Sequence, residues 1–279
     1  MAKPKHKSAK RTMADLADKF KLYQISVQMP EHEVDFFIQA YSDARKRTPY
    51  RLGEDFCGTF AVSCQWVKSD KKRTAIGIDS CATTLQWGRD HNLSKLDDEQ
   101  QKRVTVKQQD VRKQNAPQVD ILSAQNFSFW VFKTRQEVIE YFQAALSKLA
   151  DDGIMVIDMM GGAECRTEGL THNQTIQGGK DGFKYQWKQV SFNPINSDAC
   201  FSISFAFPDG SRLTDAFVYH WRLWTIVEVR EMLIEAGFGQ THVYWASDEE
   251  IDPDHGVGWQ RREEAPSDAS WTCYLVALK

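Results

Sequence analysis

An acidic residue, a tight turn and a second acidic residue lie at spacings that could bind a nucleoside. The turn Glu54-Asp55-Phe56-Cys57-Gly58-Thr59 follows an apolar lead-in from Leu52, and a second predicted strand, residues 74–78, ends on Asp79. In an α/β domain, such a turn lets backbone N–H groups approach a ligand, and the acid accepts hydrogen bonds from ribose hydroxyls. The pattern therefore predicts a nucleoside site at the carboxyl ends of two strands.

The glycine content of the turn argues against a dinucleotide ligand. A pyrophosphate-binding turn has the pattern G-x-G-x-x-G, because the backbone must approach two phosphates without an intervening Cβ. Here Gly58 is flanked two positions away by Phe56 and Phe60. Nicotinamide-dependent dehydrogenases and methyltransferases share this layout of strands and acids. Phe60 is expected to crowd the pyrophosphate of a dinucleotide, whereas S-adenosylmethionine, the cofactor of the methyltransferases, carries no phosphate. Nicotinamide-dependent dehydrogenases are therefore disfavoured, and methyltransferases are favoured.

The turn resembles the first motif of the class I S-adenosylmethionine-dependent methyltransferases, in particular a branch of that family with an E-D-F-C-G-T turn. Aligned on Cys57-Gly58-Thr59, Glu54 takes the position of the family's acid, while Phe56 and Phe60 replace its outer glycines. The resemblance extends from about residue 49 to residue 279 and implies S-adenosyl-L-methionine as the cofactor. Around this turn it assigns cofactor contacts to Glu54, Phe56, Cys57, Gly58, Thr59, Asp79 and Ser80.

Two later predicted strands end at positions where this family contacts the adenine. Residues 104–109 predict a third strand that ends at Asp110-Val111, and residues 119–124 predict a fourth that leads to Asn126-Phe127-Ser128-Phe129. In the family, an acid at the position of Asp110 reaches the adenine amino group, and the next apolar residue packs on the ring. The resemblance adds Asp110, Val111, Asn126 and Phe127 to the cofactor site. Asp110 is also compatible with a plain helix cap, because aspartate often caps helices that follow strands.

The chemistry of methyl transfer predicts what the rest of the site must supply. Displacement at a sulfonium disperses positive charge, so the protein mainly provides alignment and a dry site. Aromatic faces attract a sulfonium, and an oxygen or nitrogen acceptor must also lose a proton. The aromatic candidates are Tyr23, Phe56, Phe127 and Phe129, and the candidate general bases are His220, Glu164 and Asp158. Tyr219, Trp221 and Arg222 are predicted to hold the acceptor. Tyr23 and His220 are equally compatible with structural roles.

Other functions stay open at this stage. Asn126 and Phe129 match the ends of the motif with which amino-methylating enzymes hold a planar amine, although Phe127 and Ser128 replace its two prolines. Nucleobase methylation, and protein methylation, are therefore alternatives to a small-molecule acceptor. A non-catalytic nucleoside-binding module is a third alternative, favoured by the lost outer glycines and opposed by Asp79 and Asp110.

Hydrophobic periodicity predicts the elements that position these residues. It indicates an α/β fold, and the resemblance to the methyltransferases implies a Rossmann-like, seven-stranded, mostly parallel sheet whose last strand is antiparallel. Residues 1–12 are predicted to be a disordered basic tail, and residues 13–48 a helical lid with Tyr23 in a link between two helices. Residues 49–279 form the methyltransferase domain, with an antiparallel β insertion at about 183–224 after the fifth strand. Residues 246–270 are predicted to be a solvated loop between the last two strands.

Composition limits the partners and the compartment. The net charge of −3 disfavours nucleic acid, apart from the basic residues of the tail. The six cysteines have no C-x-x-C spacing and the seven histidines no H-x-x-x-H pair, so no metal is predicted and reduced thiols are expected. No apolar run reaches membrane-spanning length. We therefore expect a cytoplasmic monomer or homodimer that acts on a small molecule.

Overall fold

Twelve strands and eight helices make up the part of the chain that the structure describes. The computed structural model describes residues 11–179, 182–252 and 256–279. The strands are β1 (Arg51–Asp55), β2 (Thr74–Asp79), β3 (Val104–Gln108), β4 (Val119–Ala124), β5 (Leu149–Gly161), β6 (Thr171–Ile176), β7 (Phe183–Phe192), β8 (Asp198–Ala206), β9 (Arg212–Arg222), β10 (Gln240–Asp252), β11 (Gly256–Arg261) and β12 (Trp271–Leu278). The helices are α1 (Met13–Leu16), α2 (Lys19–Val27), α3 (Pro30–Arg45), α4 (Ala61–Ser69), α5 (Ala82–His91), α6 (Asp98–Gln101), α7 (Arg135–Lys148) and α8 (Ile226–Glu235). None of these described helices is long and apolar enough to cross a membrane.

The central sheet has the order β11-β10-β12-β5-β4-β1-β2-β3. The five adjacent strands β5, β4, β1, β2 and β3 are parallel to one another, and β12 runs antiparallel to both β5 and β10. The predicted parallel sheet with an antiparallel last strand is thus confirmed, but it has eight strands rather than seven. The eighth, β11, lies in the segment predicted to be a solvated loop. It is held there because Trp259 packs on Phe36 and Tyr274.

Helices cover both faces of the central sheet, which explains why most residues of its middle strands β1, β4 and β5 are buried. On one face, α3 and α4 bury Phe37, Tyr41 and Trp66 against the sheet. On the other, α7 and α8 bury Phe142 and Met232. With both faces covered, the carboxyl edge of the parallel strands is where a ligand can reach the sheet.

The N-terminal helices differ from the prediction at one break. Asp18 caps α2 by accepting hydrogen bonds from the N–H groups of Phe20 and Lys21, at 2.9 and 3.2 Å. Its other carboxylate oxygen accepts a hydrogen bond of 2.6 Å from Trp87 Nε1. The chain therefore starts a new helix at Lys19, and Tyr23 lies on α2 rather than in a link between helices.

A second, four-stranded antiparallel sheet, β6-β7-β8-β9, stands beside the central sheet. It begins at β6, a strand that the sequence analysis did not predict. Its inner face carries Phe183, Ile203 and Phe205, which pack against Leu22 and other residues of α2. Its β8–β9 hairpin also holds α1, because Asp209 Oδ2 and Ser211 Oγ accept hydrogen bonds of 2.7 and 3.0 Å from the N–H groups of Met13 and Ala14.

Candidate active site

The turn after β1 has the backbone of a glycine-rich turn, although two of its residues are phenylalanines. The φ angles of Phe56, Gly58 and Phe60 are 55°, 52° and 45°, all in the left-handed region that glycine enters at the lowest cost. Cys57 N–H donates to the carbonyl oxygen of Ile78 at 3.0 Å. Phe60 was expected to crowd a pyrophosphate, but its side chain is fully buried in the core instead of lying at the ligand side of the turn. A Cβ at Gly88 would lie 2.5 Å from the Phe60 ring, so a glycine makes room for it.

The two acids of the turn have different environments. Glu54 Oε2 accepts hydrogen bonds from Ser63 N–H and Oγ, at 3.0 and 2.5 Å. Burial raises the pKa of Glu54 to about 7, against the opposing effect of these hydrogen bonds. Asp55 instead forms a buried ion pair with Lys148 Nζ at 2.5 and 2.7 Å. Lys148 also donates to the carbonyl oxygen of Val111 at 2.9 Å, so this pair ties β1 to α7 and to the loop after β3.

The acids after β2 and β3 lie on the outer rim of the site. Asp79 accepts hydrogen bonds from the N–H groups of Gly58 and Cys81 at 2.9 and 2.8 Å, while Ser80 beside it is exposed. Asp110 is half-exposed and binds Arg112 through both carboxylate oxygens, which lowers the pKa of Asp110. Val111 is buried in the core.

A cavity of about 150 Å³, here called the turn cavity, separates α2 and α3 from the turn after β1. On the helical side it is lined by Phe20, Tyr23, Gln28 and Glu33. On the other side it is lined by residues 54–59, together with Asn126 and Ser128 from the end of β4. The structure therefore brings the predicted residues Tyr23, Glu54, Phe56, Cys57, Gly58, Thr59 and Asn126 together, with Asp79 and Asp110 outside the lining.

A second cavity of about 290 Å³, here called the insertion cavity, lies between α2 and the inner face of the second sheet. Tyr23 and Asn126 line both cavities, so the two meet at these side chains. Its aromatic lining comprises Tyr23, Phe127, Tyr185, Trp187, Phe201, Tyr219 and Trp221. Burial raises the pKa values of Tyr23 and Tyr219, so both phenols stay neutral at physiological pH. Phe129, predicted as a cavity aromatic, is fully buried in the core instead.

Asp158 on β5 holds the turn that separates the two cavities. Its carboxylate oxygens accept hydrogen bonds of 2.7 and 2.8 Å from the N–H groups of Asn126 and Phe127. These two residues have φ angles of 59° and 56°, again in the left-handed region. Burial raises the pKa of Asp158 to about 7 despite the two hydrogen bonds. Asp158 thus acts on the site by fixing Asn126 and Phe127.

His220, predicted as a general base, and Arg222, predicted to hold the acceptor, lie on the face of the second sheet that points away from the insertion cavity. Side chains alternate along a strand, so Tyr219 and Trp221 face the insertion cavity whereas His220 is exposed on the opposite face. Arg222 also points away, because its Nη1 donates to the carbonyl oxygen of Lys133 at 2.9 Å and its guanidinium stacks 3.8 Å from the Trp224 ring centroid. The prediction of His220 as general base and of Arg222 as an acceptor ligand is therefore corrected.

A different histidine lines the insertion cavity. His172 on β6 lies with Nε2 at 3.3 Å from Glu164 Oε2, and both side chains line the cavity. Glu164 was predicted from the sequence as a candidate general base, whereas His172 was not predicted, because it lies on β6 and the sequence did not indicate that strand. The polar, only partly alternating run Thr171–Ile176 carried little signal for a strand.

The arrangement of the chain is that of known methyltransferases. No protein-family model matches the sequence, and no curated protein matches it. Among solved structures, DesVI of Streptomyces venezuelae superposes with a TM-score of 0.67 at 16% identity, covering 94% of this chain and 98% of that chain. CalS10, an amino pentose methyltransferase from Micromonospora echinaspora solved with S-adenosylmethionine, superposes with a TM-score of 0.66 at 13% identity, covering 93% of this chain and 95% of CalS10. The sugar N-methyltransferase KedS8 from Streptoalloteichus superposes with a TM-score of 0.65 at 14% sequence identity, covering 100% of this chain and 98% of KedS8. At these identities, the similarity shows that the chain shares the fold of these proteins.

Proposed function

We propose that this protein is an S-adenosylmethionine-dependent methyltransferase that methylates an oxygen or a nitrogen of a small molecule. The observation that carries the proposal is the pair of cavities that meet at Tyr23 and Asn126, at the carboxyl edge of the sheet. Ligands of open α/β sheets bind at this edge. One cavity would take the cofactor and the other the acceptor, with the transferred methyl group at their junction.

The residues around the turn cavity fit the charge of the cofactor. S-adenosylmethionine carries a positive sulfonium and a positive ammonium, and the buried carboxyl groups of Glu33 and Glu54 line the cavity. Phe56 and Tyr23 present aromatic rings there, which attract a sulfonium. On the rim, Asp79 and Asp110 would accept hydrogen bonds from the ribose and the adenine. When bound, the cofactor supplies an electrophilic methyl group; the protein aligns the acceptor and excludes water.

The insertion cavity suits a small or flat acceptor. It lies between α2 and the aromatic face of the second sheet, and it opens to solvent beside the partly exposed side chains of His172 and Glu164. Two of the similar structures are described as amino pentose and sugar methyltransferases, which supports acceptors of that size. We propose that His172 accepts the proton that the acceptor loses, and that Glu164 stabilises the resulting imidazolium.

Ligand-induced stabilisation tests the cofactor assignment. We expect S-adenosylmethionine and S-adenosylhomocysteine to raise the melting temperature, with about 2.7 kcal/mol of stabilisation at 100 times the dissociation constant. Nicotinamide adenine dinucleotide at the same concentration is the matched control and should have no effect. Stabilisation by the dinucleotide alone would refute the proposal.

Mass spectrometry tests the acceptor class. A lysate fraction of small molecules incubated with the protein and methyl-labelled cofactor should contain a newly labelled compound. Removal of residues 1–12, most of which lie outside the described residues, should leave this labelling intact. Labelled RNA, DNA or protein, together with loss of labelling on that truncation, would favour the polymer alternatives.

A further inference from the structure

We propose that Glu33 and Gln28 bind the ammonium group of the cofactor's amino-acid moiety in the turn cavity. This inference rests on the proposed function, but it assigns a recognition role to two residues of the N-terminal helical segment rather than to the turn. The turn residues were predicted from a motif, whereas nothing in the sequence pattern distinguishes Glu33 from the other acids of α3.

The first observation is that both side chains bury hydrogen-bond acceptors without donors. Glu33 is 8% exposed, and its Oε2 has no hydrogen-bond partner. Gln28 Oε1, which lines the same cavity, is likewise buried and unpartnered. A buried polar atom without a partner is costly, so such atoms mark places where a ligand or water completes the bonding. An amide oxygen and the oxygens of an ionised carboxylate only accept hydrogen bonds, so the missing partner is a donor when Glu33 is ionised.

The second observation is the charge of the cavity. Glu33 and Glu54 both line it, and none of the described lining residues is a lysine or an arginine. Ser63 holds the Glu54 carboxyl by two hydrogen bonds, and Glu33 is buried in the first turn of α3. Two buried carboxyl groups that lack a cation repel each other when both are ionised.

An ammonium group meets both requirements, whereas a sulfonium meets one. A primary ammonium has three N–H donors and a positive charge, and charge-assisted hydrogen bonds to carboxylates are among the strongest in proteins. A sulfonium is positive but has no N–H to donate. The unpartnered oxygens of Glu33 and Gln28 therefore select the amino-acid end of the cofactor.

The proposal has a proton-linkage consequence. Burial raises the pKa of Glu33 to about 8, and the negative charges of Glu54, Asp158 and Glu31 add to this rise. Tyr274 is a further titratable group close enough to Glu33 to interact with its charge. Glu33 is therefore mostly protonated in the free protein at pH 7 and must ionise to pair with an ammonium. Binding should release this proton, and affinity should rise between pH 6 and pH 8 and level off above that range.

Calorimetry with two related nucleosides tests the assignment. S-adenosylhomocysteine carries the ammonium, whereas methylthioadenosine lacks the whole amino-acid moiety; neither has a sulfonium. In the wild-type protein, we expect proton release and rising affinity with pH for S-adenosylhomocysteine and neither effect for methylthioadenosine. Glu33→Gln should weaken S-adenosylhomocysteine binding by about tenfold to a hundredfold, abolish the proton released by Glu33, and leave methylthioadenosine affinity unchanged.

Asp35→Asn is the matched control, because Asp35 is an exposed acid of α3 that is not among the charges raising the pKa of Glu33, and this change should leave both affinities unchanged. Equal weakening of both nucleosides by Glu33→Gln, or pH-independent binding of S-adenosylhomocysteine to the wild-type protein, would overturn the inference while leaving the proposed function intact. Failure of the wild-type protein to bind S-adenosylhomocysteine would instead refute the proposed function.

Discussion

At the scale of single residues, the direction of a side chain decides which group can act on an acceptor. His172 and His220 lie on the two faces of one sheet, and only His172 lines the insertion cavity. The side chain of His172 is about half exposed, and its Nε2 lies 3.3 Å from Glu164 Oε2 at the cavity wall. These two histidines therefore make a matched pair for mutagenesis.

We predict that His172→Asn lowers kcat by about 10²- to 10⁴-fold, because that is the usual contribution of a positioned general base. The variant should also lose one ionisation from the pH profile of kcat while keeping wild-type affinity for S-adenosylhomocysteine. Steady-state kinetics with the acceptor found by mass spectrometry provides the measurement. His220→Asn is the control, and an equal loss of activity in both variants would exclude the assignment of the base to His172.

The residues that the sequence could predict are those fixed by local chain geometry. Glu54, Gly58 and Asp79 lie within one strand–turn–helix–strand unit, β1-α4-β2, whose parallel strands bring both acids to the same edge of the sheet. Glu33 and His172 come from segments that are distant along the chain and reach the cavities through tertiary packing. No local pattern carries that information.

At the scale of elements, buried acids fix the left-handed turns on which the site is built. Asp158 accepts hydrogen bonds from two consecutive N–H groups, those of Asn126 and Phe127. Non-glycine residues with positive φ cost of order 1–3 kcal/mol and persist only where their surroundings hold them. Asp158 supplies that support at the junction of the cavities.

We predict that Asp158→Asn lowers the free energy of unfolding by about 1–3 kcal/mol, because the amide can accept at one atom only and its NH₂ group faces the second backbone donor. Chemical denaturation at neutral pH is the measurement. Asp151→Asn, an exposed change on the same strand, should alter stability by less than about 0.5 kcal/mol. An unchanged Asp158→Asn variant would mean that the turn holds its conformation without this side chain.

Strand periodicity explains which elements were predictable. The alternation of Phe201, Ile203 and Phe205 predicted β8 and its aromatic inner face, which the structure has. It did not predict β6, whose residues are mostly exposed and polar, or β11, which depends on the contact of Trp259 with Phe36 across the chain. Edge strands lack the two-sided burial that produces a clear pattern.

At the scale of the whole molecule, the raised pKa values of buried carboxyl groups make stability depend on pH. The pKa rises to about 8 for Glu33 and to about 7 for Glu54 and Asp158. The folded protein therefore holds protons that the unfolded chain has already lost, so stability should fall as pH rises from about 4 to 8. The pKa of His242, lowered mainly by burial, acts in the opposite direction below about pH 6.5.

We predict that the melting temperature of the free protein falls between pH 6 and pH 8, and that it falls less in Glu33→Gln. Each unit of raised pKa corresponds to about 1.4 kcal/mol, and each kcal/mol to roughly 2–4 °C in a chain of this size class. Differential scanning calorimetry at both pH values provides the comparison, with Asp35→Asn, a change of an exposed acid on the same helix, as the control. Identical slopes in all three proteins would show that Glu33 titrates at its ordinary pKa.

The two hydrogen bonds between α1 and the β8–β9 hairpin also determine how easily α1 unfolds locally. The N–H groups of Met13 and Ala14 bind Asp209 and Ser211 near the surface, and α1 itself has four residues. Each such bond contributes about 1 kcal/mol, far less than global unfolding costs. α1 therefore belongs to the least protected part of the fold, and we expect its amides to exchange with solvent by local unfolding much faster than those of β4. Such exchange at α1 would take place without opening the central sheet that carries the acids.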